Sequence, residues 1–137
     1  MSRPRFQLTS PKPPRLNEND VERACCDVLR LRGYFVVRLH AGTYRTADSA
    51  RWIKGVEKGT PDYALLHHRY PGFLLEVKRP GAVATPEQKR KHEELRIGFQ
   101  LAIGVVDSVE ALIAWLDQHE RKSHAAQSNH SPRHRDQ

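Results

Sequence analysis

Two apolar runs, Asp62 to His68 and Phe73 to Lys78, are separated by the tetrapeptide Arg69-Tyr70-Pro71-Gly72. Short runs rich in Leu, Tyr, Phe and Val favour strands, and a Pro-Gly linker of this length makes a turn but leaves no room for a crossover helix. The runs therefore pair as an antiparallel hairpin, which is the tightest constraint the chain places on its fold. Strand side chains alternate, so Glu76 and Lys78 project to one face and Leu75 and Val77 to the other. Asp62 opens the first strand, near the end of the second, where Glu76 and Lys78 lie.

Helical and strand patterns flank the hairpin. Val21, Ala24, Cys25, Val28 and Leu29 recur at helical spacing, after Asn17 or Asn19 as cap and before Gly33 as stop. Asn19 with Glu22 forms a variant of the capping box. Tyr34 to His40 reads as a strand, and 41 to 60, rich in Gly, Thr, Ser, Arg and Lys, as a long connection of the kind that often carries function. Thr85-Pro86-Glu87 opens a second helix that Gly98 closes, and Gln100 to Val106 is a further strand. Asp107-Ser108-Val109-Glu110 caps a last helix, with Leu112, Ile113, Trp115 and Leu116 on its apolar face. The predicted class is α/β in the order αβββαβα, a mixed central sheet flanked by helices.

The 137 residues carry a formal charge of +7, but the charge is unevenly placed. Residues 1–16 hold Arg3, Arg5, Lys12 and Arg15 with no acid, and residues 121–137 hold Arg121, Lys122, Arg133 and Arg135 against Asp136. Both ends lack apolar periodicity and are predicted to be disordered arms, leaving 17–120 as one domain with no net charge. No apolar run reaches the roughly 18 residues of a membrane span, and the start lacks a signal-peptide core. The expectation is an intracellular, cytoplasmic protein with no membrane partner, and not a secreted one. Cys25 and Cys26 are sequence neighbours, unsuited to bridge each other, and read as small fillers of a helix face.

Asp62, Glu76 and Lys78 bring two acids and an amine to one pocket. Paired carboxylates repel unless a cation lies between them, and oxygen ligands without Cys or paired His favour Mg²⁺ or Mn²⁺ over zinc. A metal so held polarises a phosphoryl oxygen and acidifies a bound water, while a neighbouring ammonium orients that water. The same residues also read as a strand start after Pro61 and a solvated strand face, and the three alone do not decide between the readings.

The wider context does. Lys58-Gly59-Thr60-Pro61-Asp62, Leu74-Leu75-Glu76-Val77-Lys78-Arg79-Pro80-Gly81 and Thr85-Pro86-Glu87-Gln88 together resemble the VRR-NUC family of the PD-(D/E)xK nuclease superfamily, over roughly residues 20 to 117. The resemblance implies a restriction-endonuclease-like core. It also implies a metal-dependent deoxyribonuclease with Asp62, Glu76, Lys78 and Gln88 catalytic, and with Glu22, Asp62, Glu76 and the Val77 carbonyl holding the metal. Glu22 has a rival duty as the capping-box partner of Asn19, Glu18 is an alternative acid, and Gln88 has a rival reading as an exposed first-turn residue. Stand-alone members of the family resemble structure-specific endonucleases, including junction-resolving homodimers, which implies branched DNA or Holliday junctions as substrate and a dimer.

Basic residues cluster around this region in sequence: Arg38, Arg45, Arg51, Lys54 and Lys58 before it, and Arg79, Lys89, Arg90 and Lys91 after it. From residue 92 to 120, six acids face only Arg96, so the body should be basic near the site and acidic beyond. Trp52 is expected to anchor the long connection to the core rather than stack on a base. His67 and His68 are expected on opposite strand faces, and no histidine is assigned to catalysis. A second reading is a non-catalytic nucleic-acid-binding subunit of a repair or phage complex.

Overall fold

The first helix begins where Asn17 caps it: the Asn17 side chain accepts from the Asp20 amide at 2.9 Å, and the Asp20 carboxylate accepts from the Asn17 amide at 3.2 Å. The computed structural model describes residues 14–45 and 51–128. α1 (Glu18–Leu31) is followed by β1 (Phe35–Arg38), β2 (Thr43–Arg45), β3 (Trp52–Lys54), β4 (Tyr63–Leu66), β5 (Phe73–Val77), α2 (Pro86–Phe99), β6 (Ala102–Val106) and α3 (Val109–Ser128). Because a helix has one N-cap and the Asn17–Asp20 pair occupies it, the expected Asn19–Glu22 box does not form. Glu22 is left one turn inside the helix, with no capping duty.

The predicted hairpin is present. β4 and β5 pair antiparallel with Tyr63 opposite Leu75 and Leu65 opposite Phe73. Continuing that register places Asp62 across from Glu76. β1 joins the far edge of β4 antiparallel and β6 joins β5 parallel, giving a four-stranded mixed sheet in the order β1-β4-β5-β6. The parallel junction follows from the crossover through α2.

One face of the hairpin carries the core: Leu65, Phe73, Leu75 and Val77 pack with Val21, Cys25, Cys26 and Leu29 of α1 and with Leu112 and Leu116 of α3. Burial pushes the Cys25 thiol up to about 11, so it stays protonated and serves as an apolar filler. Ile113, assigned to the apolar face of α3, is instead exposed.

The order of elements differs from αβββαβα because the connection between β1 and β4 forms its own two-stranded antiparallel ribbon, β2 with β3. Three-residue strands leave too little alternation to read in sequence. α2 runs past Gly98 to Phe99, and the left-handed terminal residue is Gln100 (φ 53°). α3 is capped by Ser108, whose hydroxyl accepts from the Ala111 amide at 3.1 Å, while Asp107 accepts from the Gly81 amide at 2.9 Å. The expected Asp107–Glu110 box therefore gives way to a cap one residue later. α3 also continues to Ser128, eight residues beyond the expected domain end, because extending an existing helix adds a hydrogen bond for each residue fixed and the segment 121–128 holds good helix formers. The rest of the predicted tail, 129–137, and most of the predicted first arm, 1–13, lie outside the described residues.

Candidate active site

The site is built at the C-terminal end of β5, where the hairpin brings Asp62 beside it. Asp62 accepts from the Val77 amide through Oδ2 at 2.9 Å, so a side chain on one strand is pinned to the backbone of the next. Lys78, just past the strand, stays in register by donating its amide to the Val106 carbonyl at 2.8 Å. Glu76 and Lys78 leave the face opposite Leu75 and Val77, as alternation requires, and meet the first turn of α2.

There Gln88 joins them. Its Nε2 donates to Glu76 Oε1 at 2.8 Å, and its Oε1 accepts from Lys78 Nζ at 2.8 Å. Lys78 Nζ lies 2.9 Å from Glu76 Oε1, closing a triangle. Gln88 Oε1 also accepts from the Thr85 amide at 2.9 Å, and the Gln88 amide donates to Thr85 Oγ1 at 3.2 Å. Gln88 is thus both the capping-box partner of α2 and the clamp on Glu76 and Lys78, and the reading of it as a merely exposed first-turn residue does not hold.

One turn further along α2 lies His92, a residue that the sequence alone does not assign to the site. It is 2% exposed, and its Nε2 faces Glu76 Oε2 at 3.9 Å. Neither atom has a hydrogen-bond partner. Burial, with Arg96 and Lys78 nearby, holds the imidazole below its usual pKa, so the ring is neutral at pH 7 and the contact is not an ion pair. The one available signal was spacing: Gln88 and His92 are four residues apart and share a helix face.

Burial raises the Glu76 carboxyl above the ordinary carboxylate range; the Lys78 bond opposes the rise, and Asp62 and Glu18 add to it. Burial raises Asp62 as well, opposed by the Val77 amide and by Lys78 and reinforced by Glu22 and Glu18. Two desolvated carboxylates, each raised further by neighbouring acids, form an arrangement that a cation would relieve.

Hard oxygen donors and a buried Glu76 Oε2 without a hydrogen-bond partner fit an oxophilic divalent ion such as Mg²⁺ or Mn²⁺. Among the described residues no three His, Cys, Asp or Glu side chains already converge as a cage for one. Glu22, 8% exposed on α1, instead lies 3.4 Å from Arg38 Nη1, which also donates to the Tyr63 hydroxyl at 3.2 Å. Val77 enters the site through its amide; its carbonyl is an expected metal ligand on the resemblance alone.

The basic residues divide into paired and open groups. Arg38 pairs with Glu22, Lys58 with Glu87 at 3.6 Å, and Lys91 with both Glu57 at 2.5 Å and Glu94 at 2.9 Å. Arg45, Arg51, Lys54, Arg79, Lys89 and Arg90 are exposed. Away from the site, the Asp117 and Glu120 carboxylates of α3 hold Arg32 at 3.0 Å and 2.7 Å, so part of the acidic segment is internally neutralised. Trp52 is 70% exposed and does not anchor the connection to the core. His67 and His68 stack at 4.6 Å rather than facing apart, because both lie beyond the end of β4, where alternation no longer applies.

No protein-family model matches the chain, and no curated protein matches it. Among solved structures, one titled "VRR_NUC domain protein" superposes with a TM-score of 0.54 over 79% of this chain and 91% of that chain, at 24% sequence identity. At that identity the likeness bears on architecture, and the mixed sheet with its flanking helices is the fold of a VRR_NUC domain.

Proposed function

We propose that the chain is a divalent-metal-dependent deoxyribonuclease that hydrolyses phosphodiester bonds of branched DNA. The observation that carries this reading is the corner where Asp62, Glu76, Lys78 and Gln88 meet: two desolvated acids and an ammonium fixed by Gln88, with one buried carboxylate oxygen, Glu76 Oε2, without a hydrogen-bond partner. Asp62 and Glu76 would hold Mg²⁺ or Mn²⁺, with the Val77 carbonyl and, once turned from Arg38, Glu22 completing the set. The ion would supply Lewis-acid activation of the phosphoryl group and of a bound water.

The chain's own residues supply position and charge. Gln88 holds the Lys78 ammonium beside Glu76, where it can orient a water and meet negative charge developing on the phosphate. The Val77 amide keeps Asp62 turned toward the end of β5. Exposed Arg45, Arg51, Lys54, Arg79, Lys89 and Arg90, with Arg38 and Lys58 available by exchange from their acids, would contact DNA phosphates. A chain with one such site would cut two strands as a homodimer. No described helix is long and apolar enough to cross a membrane, and an intracellular setting, cytoplasmic in a bacterial or phage-infected cell, would suit such a substrate.

The engagement of Glu22 by Arg38 favours one other reading, a binding subunit without catalysis. A cleavage panel of four-way junctions, flaps and linear duplexes in Mg²⁺ and in Mn²⁺, run beside Asp62→Ala, separates the two. Cutting that is lost in the variant supports the nuclease; salt-sensitive binding with no cutting in either metal supports the binding subunit.

A further inference from the structure

The β2–β3 ribbon has no role in the corner just described, yet it starts beside it. The Leu39 amide donates to the Asp62 carbonyl at 2.8 Å, and Ala41 then bridges to Val56 where the ribbon begins. The base is held by Val56 N–H to the His40 carbonyl at 2.7 Å, Gly42 N–H to the Val56 carbonyl at 3.2 Å and Gly55 N–H to the Gly42 carbonyl at 2.6 Å. A Cβ on Gly55 would sit 1.9 Å from the His40 carbonyl oxygen, so this crossing of two backbones tolerates only glycine. The ribbon is thus fixed in place at its root.

Its outer end is a different surface. Thr43 pairs with Lys54 about 7 Å of strand beyond the root, and Arg45 with Trp52 about 13 Å beyond it, at roughly 3.3 Å per residue. Arg45, Arg51 and Lys54 are exposed, no acid lies in either strand, and among the described residues none of the three is in an ion pair. Trp52 is 70% exposed between them. The chain's other tryptophan, Trp115, packs on Phe73 and stacks on His119 with ring centroids 4.5 Å and 4.9 Å away. An indole left in water beside cations that form no ion pair among the described residues combines a stacking platform with a phosphate-binding rim.

We propose that Trp52 is a binding site for an unpaired nucleobase, with Arg45, Arg51 and Lys54 holding the flanking phosphates. The inference rests on the DNA-cleaving reading and deepens it by naming the substrate class: DNA with a single-stranded segment next to the scissile bond. In duplex DNA both faces of every base are covered by neighbours, so an indole platform selects bases that have come out of the stack. The ribbon reaches such a base from a root attached to Asp62, which ties recognition of the single strand to the position of the cut.

The test titrates the full-length protein in EDTA, where cleavage is blocked, with oligothymidylate and with an abasic strand of the same length and charge. Emission from the wild type should be quenched by oligothymidylate and far less by the abasic strand, and Trp52→Phe should lose most of the quenching. Trp52→Ala should bind oligothymidylate about 5- to 150-fold more weakly while its affinity for the abasic strand stays the same. Equal quenching by both strands, or equal affinity of Trp52→Ala and wild type for oligothymidylate, overturns the stacking site and leaves the nuclease reading standing. Failure of the wild type to bind or cut any DNA overturns both.

Discussion

The corner around Glu76 and the β2–β3 ribbon meet at Asp62 and are built on opposite principles. In the corner, Glu76, Lys78 and Gln88 are mutually bonded and half to fully buried, so each side chain has essentially one place to be. On the ribbon, Arg45, Trp52 and Lys54 stand in water, held by backbone alone. Groups that position reacting atoms need their geometry fixed before substrate arrives, whereas groups that collect a flexible polyanion gain from long side chains free to adapt. Each region is inferior at the other's task, and mutations should separate them.

The largest effect is expected from Lys78→Ala. Removing the ammonium that Gln88 and Glu76 hold should lower the single-turnover cleavage rate about 10²- to 10³-fold, with DNA affinity in EDTA nearly unchanged. A comparable loss of affinity would erase the division between corner and ribbon. Gly55→Ala tests the other side: the methyl clashes with the His40 carbonyl, so the root must open. Hydrogen exchange at the Gly55 and Val56 amides should accelerate, and affinity for single-stranded DNA should fall toward that of Trp52→Ala, with the Asp62–Val77 bond intact.

Asp62→Asn should stabilise the fold at pH 7 by about 0.5–2 kcal/mol, as relief of strain at an active site commonly does. An amide oxygen can still accept from Val77 while the buried charge is gone. The sign follows from the raised carboxyl pKa values of Asp62 and Glu76. A folded state that binds the proton more tightly than the unfolded chain loses stability as pH rises from the ordinary carboxylate pKa through the raised one. The gap between Asp62→Asn and wild type in urea melts should therefore close below about pH 4, where Asp62 is protonated in both states. A gap that widens on acidification would mean the carboxylate is stabilising.

The smallest effects belong to single ribbon cations. Arg45→Ala or Lys54→Ala should change folding stability by less than about 0.5 kcal/mol. Each should lower the slope of log affinity against log salt by about 0.7 for single-stranded DNA. An unchanged slope would remove that residue from the phosphate path.

Much of the corner was legible because its rules are local. A short linker forces strands to pair, alternation puts Glu76 and Lys78 on one face, and Thr85-Pro86 starts a helix wherever it is placed. Other features were ambiguous at that range. Asn17–Asp20 and Asn19–Glu22 are equally good capping pairs by spacing, and only the packing of Val21, Cys25 and Leu29 selects the first. His92 offered only its four-residue spacing from Gln88, because its significance depends on which face of α2 meets β5.

The sequence by itself determined the hairpin, the polar and apolar faces of β5, most of the helices and the candidate acids, since hydrogen bonding, side-chain periodicity and capping act over a few residues. Tertiary structure decided that Gln88 clamps Glu76 and Lys78, that Glu22 turns to Arg38, that His92 is buried against Glu76, and that Trp52 faces water while Trp115 does not. Those outcomes depend on burial summed over the whole sheet and its helices: a tryptophan has the same apolar surface at either position, and only the packed neighbours determine whether water is excluded from it.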